Sequence, residues 1–284
     1  MTMLHVDGID LAADRRGSTD APAVLLIAGG AQSMDWWTPE FCNALSAGVL
    51  QVIRYDHRDT GRSSQSPPGR PEYTGDDLVG DALAVLDAFD IKRAHLVGMS
   101  MGGGIAQALA VSRPDRVASV TLIESSPSGG DHGSLPGPTA AVAATWTEPT
   151  PAIDWADVDS VIDYRVDAER PYACPGRFDE ARVRHIASLE VRRTANMESS
   201  MSNHFVARPA DGVDPAEISA PTLVVHSVDD PMFPVEHGHA LAAMIPGSRF
   251  LQLAGVGHEI PPPHTWDVVL PAIRRLTSES SKLS

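Results

Sequence analysis

The residues most able to do chemistry lie in Gly98-Met99-Ser100-Met101-Gly102, a serine with glycine two positions away on either side. The apolar run Ala94 to Met99 before it reads as a strand, and the alanine-rich stretch Gly103 to Val111 after it reads as a helix. A serine on such a strand-to-helix turn is lifted above the sheet on a strained backbone, and glycines at those spacings leave the room that a Cβ would fill. In a chain with 23 glycines the bare pattern could be an ordinary turn. Its context and its partners favour a nucleophile.

A serine hydroxyl is nearly inert at neutral pH, so it needs a base within hydrogen-bond reach and an acid to orient that base. Both follow in the chain order Ser, Asp, His. Asp229 and Asp230 stand just beyond the apolar run Thr222 to His226, and His258 lies in Gly255-Val256-Gly257-His258-Glu259, after a run ending near Ala254. Loops at the carboxyl edge of an open α/β sheet are where such sites form. The expected catalytic set is Ser100, Asp230 and His258, with Asp229 and Glu124 as less favoured acids. His226 within a strand, His237 and His239 on a helix, and His264 beyond Pro261-Pro262-Pro263 are worse placed to act as the base. The spacing of His237 and His239 does not suit a helical metal pair, and neither metal nor cofactor is expected.

Acyl transfer also needs donors for the developing oxyanion. The N–H of Met101, next after the nucleophile, is the first. The second is expected from Gly30, in the glycine pair after the run Ala23 to Ala28, with Gln32 as a weaker side-chain candidate. Met99, Trp146, Met197, Met201, Phe205, Met232 and Phe233 are the candidate lining of an apolar, adaptable substrate pocket, although such residues equally suit a packed core.

Stepping along the chain, short apolar runs alternate with amphipathic stretches, which argues for βαβ units on a mostly parallel sheet flanked by helices, an α/β fold. Leu4 to Ala12, broken by Asp7-Gly8, reads as an opening hairpin. Strands are predicted at Ala23–Ala28, Val49–Tyr55, Ala94–Met99, Val117–Ile123, Thr222–His226 and Arg249–Ala254. Helices are predicted from about Asp76 to Phe89, Glu236 to Ile245 and Thr265 to Leu276, the last kinked or shortened by Pro271. The tail from Thr277 is expected to fray. Residues 127–215 break the alternation with a proline-rich stretch followed by a charged, helix-like one. They read as a helical cap inserted into a core formed by 1–126 and 216–284.

The 284 residues carry a net charge of −15, which repels phosphate backbones and anionic lipid surfaces, so neither nucleic acid nor a membrane is an expected partner. Only Cys42 and Cys174 are present, too few for a disulfide framework or a paired-cysteine zinc site. With no N-terminal basic-then-apolar segment and no run of about 18 apolar residues, a cytoplasmic enzyme acting on a small molecule is expected.

Through Gly29-Gly30, Arg54-Tyr55-Asp56-His57-Arg58-Asp59-Thr60-Gly61-Arg62-Ser63, Gly98 to Gly103, Asp230-Pro231 and Gly257-His258, the chain resembles the α/β-hydrolase superfamily along nearly its whole length. Within it, the Arg54 to Ser63 run, and the small Ala28 where many relatives have histidine, resemble the aclacinomycin methylesterase group of carboxylic ester hydrolases. The resemblance implies Ser100, Asp230 and His258 as triad, Gly30 and Met101 as oxyanion donors, and a serine esterase acting on an apolar ester. Carbon–carbon bond hydrolysis or cofactor-free perhydrolysis uses the same triad and is the alternative. A non-catalytic receptor on the same scaffold is a third reading. The Asp56 to Ser63 loop is expected to be structural, its charges bonding locally.

Overall fold

The computed structural model describes residues 1–129, 135–148 and 151–281. The strands are β1 (Thr2–Val6), β2 (Ile9–Arg16), β3 (Ala23–Ile27), β4 (Gln51–Tyr55), β5 (Ala94–Met99), β6 (Val117–Ile123), β7 (Thr222–Ser227) and β8 (Arg249–Leu253). They form one eight-stranded sheet in the order β1-β2-β4-β3-β5-β6-β7-β8. β1 and β2 are an antiparallel hairpin turned by Asp7 and Gly8, both at positive φ; β2 pairs antiparallel with β4, and every later pairing is parallel. The mostly parallel α/β sheet expected from the alternation is the one observed.

Alternation along the strands builds a core on each face of the sheet, because successive side chains point to opposite sides. Val24, Leu26, Val97, Met99 and Val225 join one apolar cluster, whereas Leu25, Ile27, Leu96, Val120 and Val224 join the other. Helices α2 (Gly75–Ala88), α3 (Met101–Ser112) and α8 (Glu236–Met244) cover the second; α1 (Pro39–Ser46) and α9 (Trp266–Ser280) contribute to the first. Double coverage explains why β3 to β7 are buried along their length and read as continuous apolar runs.

Between β6 and β7 lie α4 (Ala140–Thr147), α5 (Val158–Glu169), α6 (Glu180–Arg193) and α7 (Met197–Val206). Val161, Ile162, Val166, Ile186 and Met197 on these helices complete the first cluster, over Trp36 and Trp37. α4 falls within the proline-rich stretch that opens residues 127–215. Thr139 caps it, its hydroxyl accepting from Val142 N–H, and Pro138 sits just outside, where it blocks no helical hydrogen bond.

Two terminal expectations are corrected. α9 continues nine residues past Pro271, and Thr277 to Ser280 form its last turn instead of a frayed tail. Thr277 and Ser280 are buried, and their hydroxyls bond back to Arg274 O and Leu276 O. The rest of the tail beyond Ser281 lies outside the described residues. No helix among the described residues is long and apolar enough to cross a membrane.

Candidate active site

Ser100 sits between β5 and α3 at φ 52° and ψ −118°, a conformation that costs a non-glycine residue about 1–3 kcal/mol. Its neighbours hold it there. Ser100 N–H donates to Ile123 O at 3.0 Å, and its carbonyl accepts from Gly103 N–H at 2.8 Å and from the Ser125 hydroxyl at 3.1 Å. A Cβ on Gly98 would lie 2.2 Å from Gly102 O, and one on Gly102 would lie 2.2 Å from Ile27 O. Both glycines are therefore demanded by the turn.

His258 Nε2 lies 2.8 Å from Ser100 Oγ, and His258 Nδ1 lies 2.9 Å from Asp230 Oδ2. Asp230 Oδ1 accepts from the N–H groups of Met232 and Phe233 at 2.8 and 2.9 Å. Burial alone would raise the Asp230 carboxyl, but the charge and hydrogen bond of His258, with the backbone donors, outweigh it and bring the pKa down to about 2. The carboxylate is thus ionised and fixes the imidazole with Nε2 free to accept from serine. Asp229 faces elsewhere and accepts from Gly255 N–H at 2.7 Å, bracing the histidine loop.

Glu124, at the end of β6 with φ 42°, is fully buried behind Asp230, and both its oxygens accept from Ser227 N–H at 3.0 and 3.1 Å. Burial, then the Asp230 charge, holds its carboxyl well above the usual 4.5, which favours the protonated form of Glu124. Glu124, His226 and Asp230 bring potential ligand atoms within 4.8 Å of one another. These atoms already have partners. His226 Nε2 donates to Phe233 O at 2.7 Å, and Asp230 serves His258 and two amides, so the cluster fits a hydrogen-bonded carboxyl pair better than a cation.

The loop after β3 shows a selective use of its N–H groups. Gly29 donates to Gln32 Oε1 at 3.1 Å, Ala31 to His204 Nδ1 at 3.0 Å, Gln32 to Gly29 O at 3.3 Å, Ser33 to Glu190 Oε1 at 2.8 Å and Met34 to Asp56 Oδ1 at 2.9 Å. From Gly29 to Met34, only the N–H of Gly30, half-buried, has no acceptor among the described residues. Gln32 spends its amide oxygen on the loop itself. On the other side of the serine, the N–H of Met101 opens α3, where helix geometry supplies no acceptor.

The apolar candidates separate. Phe205 is 64% exposed, its ring 3.2 Å from where a Gly30 Cβ would stand, and the Met101 sulfur is 3.9 Å from the same point. Phe233 meets His258 edge-on at 5.3 Å, and Met232 lies half-buried on the turn around Asp230. Met99 and Met197 are packed in the first apolar cluster. Trp146 is exposed, its indole N–H 3.4 Å from the Tyr172 hydroxyl. Met201 lines a separate cleft of about 530 Å³ with Ile153, Trp155 and Tyr164.

Several residues that hold the site escape a sequence reading. Tyr172 O accepts from His258 N–H at 2.7 Å. The Asp56 to Ser63 loop bonds far beyond its own neighbourhood: Asp56 pairs with Arg193 of α6, Arg58 with Asp81 at 2.7 Å, and Asp59 accepts from Asn203 of α7 at 2.7 Å. Arg165 and Glu190, a buried pair at 2.9 Å, tie α5 to α6. In the sequence these are charges on helix-like stretches, which ordinarily face water, and nothing local marks them as buried.

An eight-stranded, mostly parallel sheet with serine, histidine and aspartate joined at its carboxyl edge defines the α/β-hydrolases. The alpha/beta hydrolase fold family model matches residues 22–265, and the chain belongs to that family of enzymes. It is 33% identical over 91% of its length to rhodomycin D methylesterase DauP of Streptomyces sp. (strain C5), of which 92% is covered. It is 32% identical, with the same coverage, to rhodomycin D methylesterase DnrP of Streptomyces peucetius. The methylesterase resemblance carried by the motifs is therefore also a likeness along the chain. Among solved structures, the enol-lactonase from Burkholderia xenovorans LB400 superimposes with a TM-score of 0.73 at 25% identity, covering 98% of this chain and 100% of the other.

Proposed function

We propose that this enzyme is a serine-dependent hydrolase of carboxylic esters, acting on methyl esters of bulky apolar molecules through an acyl-enzyme on Ser100. The observation that carries the reading is the continuous chain of hydrogen bonds from Ser100 Oγ through His258 to Asp230, beside a loop whose one unspent amide belongs to Gly30. His258 takes the serine proton as Ser100 Oγ attacks the ester carbonyl. The N–H groups of Gly30 and Met101 stabilise the oxyanion, and collapse of the adduct expels the alcohol, which receives that proton from His258. Water, deprotonated by the same imidazole, then hydrolyses the acyl-enzyme and releases the acid. Ionised Asp230 orients His258 and stabilises the imidazolium. No step calls for a metal or a redox cofactor.

In this reading residues 127–215 are the cap over the site, and Phe205, Phe233, Met101 and Met232 supply an apolar wall that suits a greasy ester. The kinship with two methylesterases supports the methyl ester as the bond cleaved. Ser100→Ala should lower hydrolysis of small aryl esters and of a polycyclic methyl ester by several orders of magnitude, and a fluorophosphonate should add its phosphoryl group to Ser100 alone. Unchanged turnover in the variant would end the proposal. Faster cleavage of a β-diketone, or peroxide-dependent halogenation exceeding ester hydrolysis, would move the chemistry to carbon–carbon hydrolysis or perhydrolysis.

A further inference from the structure

We infer that His204 on α7 and Arg165 on α5 are positioning residues for the oxyanion loop, clamping the two backbone polar groups of Ala31 so that the adjoining Gly30 N–H is held for the reaction. The inference rests on the reading of Gly30 as an oxyanion donor and adds that its direction is set from the inserted helices. Ala31 has φ 57°, a left-handed conformation that costs an alanine about 1–2 kcal/mol and needs outside restraint. Its N–H donates to His204 Nδ1 at 3.0 Å, and its carbonyl accepts from Arg165 Nη2 at 3.2 Å.

Each clamp is itself held. His204 Nε2–H donates to Arg58 O at 2.9 Å, which leaves Nδ1 as the acceptor, and burial holds the imidazole neutral by pushing its pKa down. Arg165 donates to Glu190 Oε2 at 2.9 Å, pairs with Glu169 and lies 4.5 Å over the Trp36 ring. Glu190 Oε1 accepts from Ser33 N–H at 2.8 Å and from the Trp36 indole at 3.0 Å. The loop from Ala31 to Trp36 is thus bolted to α5, α6 and α7, and on the sheet side Met34 is held by Arg54 of β4 and by Asp56. Phe205, next to His204, lies against Gly30, so one turn of α7 both restrains the loop and walls its open side. An oxyanion donor gains its effect from being aimed before reaction, and a loop free to rock loses part of it.

The test compares His204→Asn with His204→Gln in the full chain. Asparagine places a carbonyl oxygen where Nδ1 stands, keeping an acceptor for Ala31; glutamine places its amide near Nε2 and leaves Ala31 without one. His204→Leu removes both contacts. For each, kcat and KM are measured on an aryl ester, together with inhibition by an alkyl trifluoromethyl ketone, which adds to Ser100 as a tetrahedral oxyanion. Removal of a whole donor costs about 10²–10³ in kcat, so a misdirected one should cost about 10- to 100-fold. We expect that loss in Gln and Leu, a parallel loss of affinity for the ketone and a KM changed by less than about twofold, with Asn staying within about threefold of the parent. If Leu does not fold, the Asn and Gln pair still decides. Equal activity and equal ketone affinity in Asn and Gln would overturn the inference. An active Ser100→Ala enzyme would instead overturn the reading of the reaction beneath it.

Discussion

The sheet edge and the inserted helices contribute to the same site by different physics. At the sheet edge, Ser100, Asp230 and His258 are placed by backbone: a strained turn between β5 and α3, an amide-cradled turn after β7, and a loop after β8. β5 and β7, which aim the first two turns, are buried along their length, whereas β8, the edge strand leading to His258, is partly exposed. The inserted helices share the apolar cluster but settle their orientation with buried ions, Arg165 with Glu190 and Arg193 with Asp35 and Asp56. Close packing fixes shape, and a buried ion pair adds a demand for direction, because it offsets its desolvation only in good geometry. In the proposed reaction, then, Ser100, Asp230 and His258 belong to a scaffold with strong local rules, and the aim of the Gly30 loop depends on long-range pairing.

If the scaffold places the chemistry, the largest effect should come from a nearly isosteric change within it. Asp230→Asn should keep the fold, because the side-chain oxygen can still accept from Met232 and Phe233, yet lose about 10⁴ in kcat through the wrong histidine tautomer. Steady-state kinetics beside a circular dichroism spectrum check this; a loss under tenfold would mean that Glu124, not Asp230, orients His258.

A stability experiment addresses the inserted helices. Glu190→Ala strips buried Arg165 of one of its two carboxylates and leaves Ser33 N–H and the Trp36 indole without an acceptor, and should destabilise by about 3–5 kcal/mol in urea. Replacing both partners, Arg165→Met with Glu190→Leu, should recover much of that stability while leaving the oxyanion loop without its anchor. A double variant of high stability and low kcat would sharpen the separation of packing from aim; full activity would break it.

Glu124 gives a smaller, pH-dependent effect. Its carboxyl is held well above the unfolded value of 4.5 by burial and by Asp230, so the native state keeps a proton that the unfolded chain releases. That contribution is complete below about pH 4.5 and is lost as pH rises towards the native pKa. Glu124→Gln preserves a neutral donor without the proton linkage, so Tm at pH 8 should rise by a few degrees and its slope between about pH 5 and 8 should flatten. Asp230 works in the opposite window: depressed to about 2, it stabilises above its unfolded value of 3.8 and loses that contribution as pH falls through about 2. The smallest effect belongs to the outer face of α5 and α6, where Arg184 pairs with the exposed Asp163 and Glu180. Arg184→Ala should leave Tm unchanged within error, most clearly in high salt.

The sheet was legible because its strands are short apolar runs set off by turn residues, and the elbow because glycines at 98 and 102 have a steric task that local sequence reveals. Local pattern was silent on α4, whose Thr139 cap lies in a proline-rich stretch, and misleading on α9, whose last turn is polar in sequence yet buried. The apolar candidates were read by type alone. Type could not tell Phe205, exposed over Gly30, from Met197, sealed in the core.

By itself the sequence determined the fold class, the serine turn and the order in which Asp230 and His258 follow it, since these depend on periodicity and on steric needs within a few residues. Only the tertiary structure decided that Gly30 holds the one loop amide left unspent. It also buried Glu124 beside Asp230 and put His204 and Arg165, more than 130 residues from Ala31, on that residue's backbone. Those outcomes depend on which charges lose their water when distant segments meet, and no local pattern encodes that loss.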